Sequence, residues 1–160
     1  MITFEESGLS PEIIKAIKKI GFETFMPVQQ QVIPHILNTE RDIITLSQTG
    51  SGKTAAYGLP LLNRIDPTNK NTQLLVLSPT RELCLQIAND LTSFSQFIPG
   101  MNIVAVYGGA AIDTQIKSLR AGAQVIVATP GRLTDLLNRR RADVSHIVSV
   151  VLDEADEMLD

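Results

Sequence analysis

Five short runs of apolar residues, rich in Val, Ile and Leu, recur along the chain without the polar alternation of a half-exposed strand. Such runs are typical of strands that are buried on both faces, as in parallel sheets. The pattern therefore predicts five buried strands, at residues 42–47, 73–78, 102–107, 124–129 and 147–153.

Segments with helical spacing separate these runs and also precede the first of them. Leu83, Ile87 and Leu91 lie four apart and form one apolar stripe. Near the N-terminus, Ser10 marks the start of a helix and Gly21 its end. Strand and helix alternate, which predicts βαβ units with right-handed crossovers. The predicted fold class is α/β, with three layers around a central, mainly parallel sheet.

Length and composition suit one cytoplasmic domain. The chain has 160 residues, enough for a core of its own. The acidic N-terminus has no apolar run of signal-peptide length, and no stretch approaches the ~18 apolar residues of a membrane span. Cys84 is the only cysteine, so neither an intrachain disulfide nor a cysteine-rich metal site can form. We expect Cys84 to be a buried, inert thiol.

The charge of the chain does not by itself indicate a nucleic-acid partner. The net charge is −3, whereas a domain that holds phosphates mainly by positive charge is expected to be basic. The only basic cluster is Arg139, Arg140 and Arg141. Cations suit the C-terminal end of a helix, and we interpret this cluster as such a solvated end.

Residues 47–54, SQTGSGKT, join the first predicted strand to a helix that begins near Lys53. Glycines allow backbone N–H groups to point at phosphate, the helix N-terminus favours anions, and Thr54 can ligate Mg²⁺. The alternative is a turn that merely joins strand and helix. Ser47 stands where the phosphate-loop signature has Gly, and a small residue is sufficient there. The predicted triphosphate contacts are Ser47, Gln48, Thr49, Gly50, Ser51, Gly52, Lys53 and Thr54.

An acidic pair, Asp153 and Glu154, ends the last predicted strand. Ligands of open α/β sheets bind at the carboxyl ends of strands. Asp153 would hold Mg²⁺ through its water shell, and Glu154 would orient and deprotonate the attacking water. The alternative is an acidic turn that caps the next helix. With Lys53, this pair makes up the predicted catalytic residues.

Six segments, in this order, resemble the Q motif and motifs I, Ia, GG, Ib and II of the DEAD-box RNA helicases, and the wording is closest to bacterial members. They are GFETFMPVQ (21–29), SQTGSGKT (47–54), PTREL (79–83), YGG (107–109), TPGR (129–132) and DEAD (153–156). The resemblance implies an ATP-dependent RNA helicase. It implies that residues 1–160 are its N-terminal RecA-like ATP-binding domain, with the Q motif at 2–30 and the core at 31–160.

The resemblance also assigns roles in nucleotide binding. Gln29 matches the glutamine that reads adenine, which implies ATP. Phe22 matches the aromatic residue that stacks on the base, and Phe4 the upstream aromatic residue that braces this segment. Core packing is the alternative for both phenylalanines. Phe25 and Met26 stand where the family usually has Pro and Thr, which bears on the geometry of the local turn.

The segments PTREL, GG and TPGR match those that grip RNA in the family. Each follows a strand and precedes a helix, so backbone N–H groups and hydroxyls can hold phosphate oxygens without reading base sequence. Salt bridges within the domain are the alternative for the arginines. The implied RNA contacts are Pro79, Thr80, Arg81, Gly108, Gly109, Thr129, Pro130, Gly131 and Arg132.

Family members continue beyond the DEAD segment into a second RecA-like domain whose arginines complete the ATP site. An arginine of this kind is worth ~10³–10⁵ in rate. The chain is therefore expected to be truncated after this motif, to need the second domain as its partner, and to be nearly inactive alone. The truncation is also expected to leave an open sheet edge that invites self-association.

Two other classes of function are alternatives to this one. Another phosphate-loop motor or a DNA helicase would share the phosphate loop, but Gln29, PTREL and TPGR argue against it. A binding module that holds nucleotide without hydrolysing it is the second alternative, and Glu154 beside Asp153 argues against that.

Overall fold

The computed structural model describes residues 1–46 and 52–159, which form two compact units. Unit 1 comprises the described residues of Met1–Arg64 together with Ser93–Pro99. Unit 2 comprises the described residues of Ile65–Thr92 and Gly100–Asp160.

The described residues of unit 1 form helices α1 (Pro11–Ile20), α2 (Pro27–Asn38) and α3 (Lys53–Asn63). Helix α1 has the predicted ends. The Ser10 hydroxyl oxygen accepts a hydrogen bond from the Ile13 N–H at 3.4 Å, and Gly21 ends the helix with φ of 114°. The Ser10 N–H donates to Asn63 Oδ1 at 2.7 Å. This bond ties the start of α1 to the last residue of α3.

The first predicted strand does not form in residues 42–46, and Ser47 lies outside the described residues. Ile44 and Leu46 are 90% and 96% exposed. A strand exists only through hydrogen bonds to a neighbour, and no strand among the described residues pairs with 42–46. The prediction was wrong for 42–46 because an apolar run carries no information on whether a neighbouring strand pairs with it.

Unit 2 contains the parallel sheet. Its elements, of which the last two residues of α4 belong to unit 1, are β1 (Leu74–Leu77), α4 (Arg81–Phe94), β2 (Ile103–Val106), α5 (Ile112–Arg120), β3 (Val125–Ala128), α6 (Pro130–Asn138), β4 (Ser149–Leu152) and α7 (Ala155–Met158). No helix in residues 1–46 and 52–159 is both long and apolar enough to cross a membrane.

The four strands lie in the order β2-β3-β1-β4, and each neighbouring pair is parallel. The central strands β1 and β3 are buried on both faces, as continuous apolar runs predict. The predicted burial on both faces is wrong for β4, whose Val150 and Leu152 are exposed, because β4 lies at the end of the described sheet. One face packs against α5 and α6. The predicted parallel α/β fold is confirmed. The core of that face consists of Leu75, Val104, Val106, Ala123, Ile126, Ala128, Leu133 and Leu136.

The parallel arrangement gives the sheet two different edges. The carboxyl ends of all four strands meet at one edge, here called the carboxyl edge, where each strand runs on toward a helix N-terminus. The opposite edge, here called the amino edge, is bordered by the C-terminal ends of α5 and α6. Helix N-termini favour anions. The carboxyl edge is therefore the one suited to phosphate.

Cys84 is the buried, inert thiol that the sequence predicted. Its Sγ–H donates to the Val127 carbonyl at 3.2 Å, and the side chain is fully buried. Burial raises the pKa of this thiol to about 11. The reactive thiolate is therefore negligible near neutral pH.

Helix α6 ends in a Schellman motif that has arginine where glycine is usual. The Arg140 N–H donates to the Leu137 carbonyl at 3.0 Å, and the Arg141 N–H to the Leu136 carbonyl at 2.8 Å. Arg140 itself has φ of 56°, in the left-handed region. The prediction that this cluster is a solvated helix end is confirmed, because all three arginines are exposed.

Replacing Arg140 by glycine should stabilise the chain. A residue with a Cβ in a left-handed conformation costs roughly 1–2 kcal/mol, and Arg140→Gly removes this cost. Part of the gain is offset because glycine has more conformational entropy in the unfolded chain. We expect a net gain of about 0.5–1 kcal/mol in the free energy of unfolding, measured by urea titration. Arg139 has a right-handed φ of −82°, so Arg139→Gly is the matched control and should destabilise. Destabilisation by both variants would contradict the account.

Candidate functional site

In unit 1, the residues predicted to bind triphosphate include the start of α3. Gly52 is the N-cap, with φ of 82°, and Lys53 and Thr54 are the first two helical residues. The first turn of a helix presents N–H groups and the positive end of the helix dipole, and both favour an anion. Ser47, Gln48, Thr49, Gly50 and Ser51, also predicted contacts, lie outside the described residues.

Gln29 is buried to 2% exposure and holds two backbone groups. Its Oε1 accepts from the Met26 N–H at 2.9 Å, and its Nε2 donates to the Gly52 carbonyl at 3.2 Å. A Cβ on Gly52 would lie only 2.5 Å from this Nε2 and 2.7 Å from the Met26 sulfur. The sequence pointed to Gln29 as a base reader only and missed its contact with the start of α3.

Met26, where the family usually has Thr, does not prevent α2 from starting. Its side chain makes no capping bond, but its N–H is satisfied by Gln29 Oε1 and Pro27 takes the first helical position. The Gln29 amide keeps one N–H and one oxygen lone pair beyond these two bonds. That remaining capacity is a donor and an acceptor on one planar group.

Phe22 lines a cavity of about 350 Å³ in unit 1. The ring is half-buried and meets Phe94 edge-on, with centroids 6.1 Å apart. Phe4 is buried and packs edge-on against Phe25 at 4.7 Å, a contact that fits both core packing and the bracing of segment 21–29. Gln29 does not line the cavity. The walls of the cavity are formed by Met1, Ile2, Thr3, Phe4, Glu5, Lys18, Phe22, Glu23 and Thr24.

In unit 2, the structure brings the other predicted segments together on the carboxyl edge. Each segment begins within two residues of the end of one of the four strands. In the order of the sheet they are 107–109 after β2, 129–132 after β3, 79–81 after β1 and 153–154 after β4. The loops expected to contact phosphate and the acidic pair thus share one row.

Arg81 contacts the loop after β2 and no carboxylate. Its Nη1 donates to the Gly109 carbonyl at 3.4 Å, and its guanidinium lies 5.1 Å from the centre of the Tyr107 ring. No salt bridge to Arg81 or Arg132 occurs in the described part of unit 2. The Thr80 hydroxyl accepts from the Leu83 N–H at 3.2 Å and so caps α4.

Arg132 is built into a network that shapes the same loop. Both of its Nη groups donate to the Ala110 carbonyl at 3.2 Å, and Nη1 also donates to Gln115 Oε1 at 3.0 Å. Gln115 in turn donates to the Tyr107 carbonyl at 3.1 Å and accepts from its N–H at 3.3 Å. The guanidinium therefore positions residues 107–110.

Gln115 and Tyr107 are site residues that the sequence interpretation missed. Gln115 is polar, yet it is buried on the inward stripe of α5 with Ile112, Ile116 and Leu119. A polar residue on an apolar helical stripe is the signal that could have found it, because a buried amide must find hydrogen-bonding partners.

Two glycines of the edge have open space beside them. A Cβ built on Gly108 or Gly131 would meet no atom within 4 Å, and neither has positive φ. Gly131 lies in the first turn of α6, after Pro130, and the Thr129 hydroxyl makes no capping bond there. Contacts within the chain do not require glycine here, so the exposed backbone is open to close approach by a ligand.

The acidic pair ends β4 in two different environments. Asp153 is 3% exposed, and its N–H donates to the Leu77 carbonyl at 2.9 Å. Glu154 is half-buried at the start of α7 and has φ of 52° and ψ of 52°. A left-handed backbone at a residue with a Cβ costs of order 1–3 kcal/mol and is found at functional sites.

Comparison with known proteins gives the family. The model of the DEAD/DEAH box helicase family matches residues 26–160. The ATP-dependent RNA helicase DeaD of Escherichia coli (strain K12) is 51% identical over 157 residues, which cover 98% of this chain and 25% of that protein.

Two solved structures share the fold. A DEAD box protein from the hyperthermophile Methanococcus jannaschii matches with a TM-score of 0.93 at 40% identity, covering 99% of this chain and 43% of that one. A variant of Dbp5 from S. cerevisiae, bound to RNA and ADP BeF3, matches with a TM-score of 0.87 at 34% identity, covering 99% and 39%. The chain thus spans about a quarter of DeaD and two fifths of these structures. It belongs to the DEAD/DEAH box helicase family.

Proposed function

We propose that this chain is the first RecA-like domain of an ATP-dependent RNA helicase, in which ATP binding and hydrolysis are coupled to RNA binding and local duplex separation. The row of loops on the carboxyl edge is the observation that carries the proposal. Loops suited to phosphate and an acidic pair share that edge. The matched DeaD protein, of which this chain spans a quarter, is an ATP-dependent RNA helicase.

ATP is the proposed nucleotide. Lys53, Thr54 and the N–H groups of the first turn of α3 would hold the phosphates. The free N–H and lone pair of Gln29 suit the N6 and N7 positions of adenine, which present a donor and an acceptor side by side. Phe22 would stack on the base, as the resemblance to the Q motif implies. The Gln29 bond to Gly52 would then link base recognition to the start of the phosphate-binding helix.

The chemistry of Asp153 and Thr54 fits Mg²⁺, since both offer oxygen donors. The described residues contain no group of three His, Cys, Asp or Glu side chains that could hold a metal by themselves. Mg²⁺ sites of nucleotide enzymes commonly use one or two protein oxygens and take the rest from phosphates and water. When bound, the ion neutralises charge on the phosphates.

Glu154 is the proposed general base. Its carboxylate would accept a proton from the attacking water, and its left-handed backbone sets the direction of the side chain at the end of β4. Asp153, buried beside it, would hold the metal through water. This division of labour uses two adjacent carboxylates whose surroundings differ.

RNA is the proposed polymer, held by its backbone without sequence preference. Thr80, Thr129 and the open backbone at Gly108 and Gly131 would contact phosphate and sugar oxygens. The structure gives Arg81 and Arg132 positioning contacts to residues 107–110. We therefore propose that both shape the loop, and that their remaining N–H groups face phosphate.

The whole activity would need a second RecA-like domain in the same cytoplasmic protein, and this chain alone would be nearly inactive. The test is strand separation by the full-length protein on a short RNA duplex with ATP. We expect ATP-dependent separation of RNA and little of a DNA duplex of the same sequence. Equal or better separation of DNA would favour a DNA helicase, and nucleotide binding without turnover would favour a binding module.

Gly131→Ala should separate RNA binding from stability. Alanine suits a helix better by about 1 kcal/mol, and space for its methyl group is open, so the thermal midpoint should rise. The methyl group should obstruct phosphate approach and weaken RNA affinity roughly tenfold in fluorescence anisotropy with ATP present. Gly122→Ala, on the opposite edge, is the control for RNA affinity. It should lower the thermal midpoint, because Gly122 has φ of 98° and a Cβ there would lie 3.1 Å from the Lys70 Cβ, but it should leave RNA affinity unchanged. Unchanged affinity in Gly131→Ala would remove this backbone from the RNA site.

Self-association through the edge strand is also proposed. Among the described strands, β4 pairs only with β1, and Val150 and Leu152 are 57% and 54% exposed. An open, apolar edge invites pairing with a second copy. Sedimentation of the chain should show a dimer that grows with concentration, and Val150→Lys should reduce it. A monomer at all concentrations would reject the proposal.

A further inference from the structure

A cavity of about 310 Å³ lies at the amino edge of the sheet in unit 2, opposite the loops assigned to RNA. It is formed by the segments that lead into β1, β3 and β4 and by the end of α5. None of its residues has a role in the proposed nucleotide or RNA sites. Its rim carries four cations, Lys70, Arg120, Arg140 and Arg141.

These cations are exposed and concentrate positive charge on a chain whose net charge is −3. None of the four lies within 4.0 Å of a carboxylate in the described part of the chain. Asp143 is the one acid of the lining, and its carboxylate already accepts from the Ser145 N–H at 2.9 Å and hydroxyl at 2.6 Å. The rim therefore has an excess of positive charge available to an anion.

The floor of the cavity is aliphatic. It is formed by Ile116, Leu119, Ala123 and Ile126, which belong to the core packed between the sheet and helices α5 and α6. A cavity of this size can take one or two apolar side chains. The combination of an apolar floor with a cationic rim suits a ligand that is apolar at its centre and acidic around it.

Two features hold cations at this rim beyond what helix ends require. A Cβ on Gly122 would lie 3.1 Å from the Lys70 Cβ, so the missing side chain leaves room for the Lys70 stem. Arg140 occupies a left-handed position where glycine is preferred. Helix C-termini favour nearby cations, which accounts for Arg120 and Arg141. This preference explains neither the presence of Lys70 nor the free-energy cost of the left-handed backbone at Arg140.

We propose that this cavity, the amino-edge pocket, binds an acidic peptide segment with an apolar anchor side chain. Arginines bind carboxylates through paired hydrogen bonds, and the aliphatic floor would accept the anchor. RNA is disfavoured. The lining has no aromatic residue on which a base could stack, and the pocket is bordered by helix C-termini, which present carbonyls and not N–H donors.

The test uses the ¹⁵N-labelled chain and a short capped peptide of glutamates around one central leucine. NMR shifts should move at the amides of Arg120, Gly122, Ala123 and Arg141. Arg120→Glu should weaken affinity roughly fivefold, because it reverses a rim charge. Lys117→Glu, one turn earlier on α5 and outside the lining, makes the same charge change and should retain the wild-type affinity. Arg140→Gly should lose affinity while the fold is kept.

Specific results would overturn the proposal. Equal loss in Lys117→Glu would show long-range attraction in place of a site. Equal binding of a peptide with serine for the central leucine would show that the floor is not used. An RNA oligonucleotide that shifts the same amides more strongly than the peptide would assign the pocket to RNA, and shifts confined to other residues would place the peptide elsewhere.

Discussion

Glu154→Gln in the full-length protein should keep ATP affinity and lower turnover by roughly 10²–10⁴-fold, the range typical of a lost general base. The amide is nearly isosteric with the carboxylate, so it preserves packing at the left-handed position but cannot accept the proton of water. The measurement pairs calorimetry of ATP binding with steady-state release of phosphate in the presence of RNA.

Glu157→Gln is the matched control, because Glu157 is an exposed acid three residues later in α7. It should retain wild-type turnover. If Glu154→Gln retains wild-type hydrolysis, the general base is another residue. If it loses ATP binding as well, Glu154 acts in the ground state and its role as base is not supported. Glu154→Gly should also lose turnover, yet gain stability through relief of the left-handed backbone.

Lys53→Ala should lower the affinity of the chain for ATP by about tenfold to a hundredfold. A hydrogen bond to a charged group is worth roughly 1.5–3 kcal/mol, and the ammonium group would contact the phosphates directly. Isothermal calorimetry with ATP and Mg²⁺ measures the effect. Lys117→Ala removes an exposed lysine from α5 and should bind ATP like the wild type. Unchanged affinity in Lys53→Ala would exclude the phosphate-loop assignment.

Much of the fold could be predicted from residue pattern. The runs at 73–78, 102–107, 124–129 and 147–153 each contain a strand of the sheet. The central strands β1 and β3 are buried on both faces, which leaves an uninterrupted apolar signature, whereas Val150 and Leu152 of β4 are exposed. Helix α1 could also be predicted, because Ser10 and Gly21 mark its ends through local capping interactions. The prediction of a strand at 42–46 was wrong because it depended on a neighbouring strand. Strand pairing is a non-local property that the segment itself does not encode.

In the candidate site, the placement of the loops could be predicted from the sequence, but the side-chain contacts could not. The order of motifs and the fact that parallel strands end at one edge were sufficient to predict which loops share the carboxyl edge. The contacts of Arg132 with Ala110 and Gln115 were not predictable, since they depend on how α5 and α6 pack. The Gln29 bond to Gly52 joins residues 23 positions apart. Nothing about a glutamine or a glycine in the sequence indicates that the other residue is its hydrogen-bonding partner.

Backbone strain is the third feature that sequence could not supply. Arg140 and Glu154 are the described non-glycine residues with positive φ. Nothing in their residue types predicts a left-handed conformation, which β-carbon sterics disfavour. Both lie where we propose a role for a charge, one in the amino-edge pocket and one at the end of β4. Strain of this kind is found only by looking at the structure.

We propose that ATP hydrolysis by the full-length protein is coupled to RNA. The most direct test is the steady-state rate of phosphate release by the full-length protein with ATP, measured alone, with single-stranded RNA and with DNA of the same sequence. The account predicts a low basal rate that RNA raises severalfold and DNA does not. A rate that is unaffected by RNA, or raised equally by DNA, would contradict it.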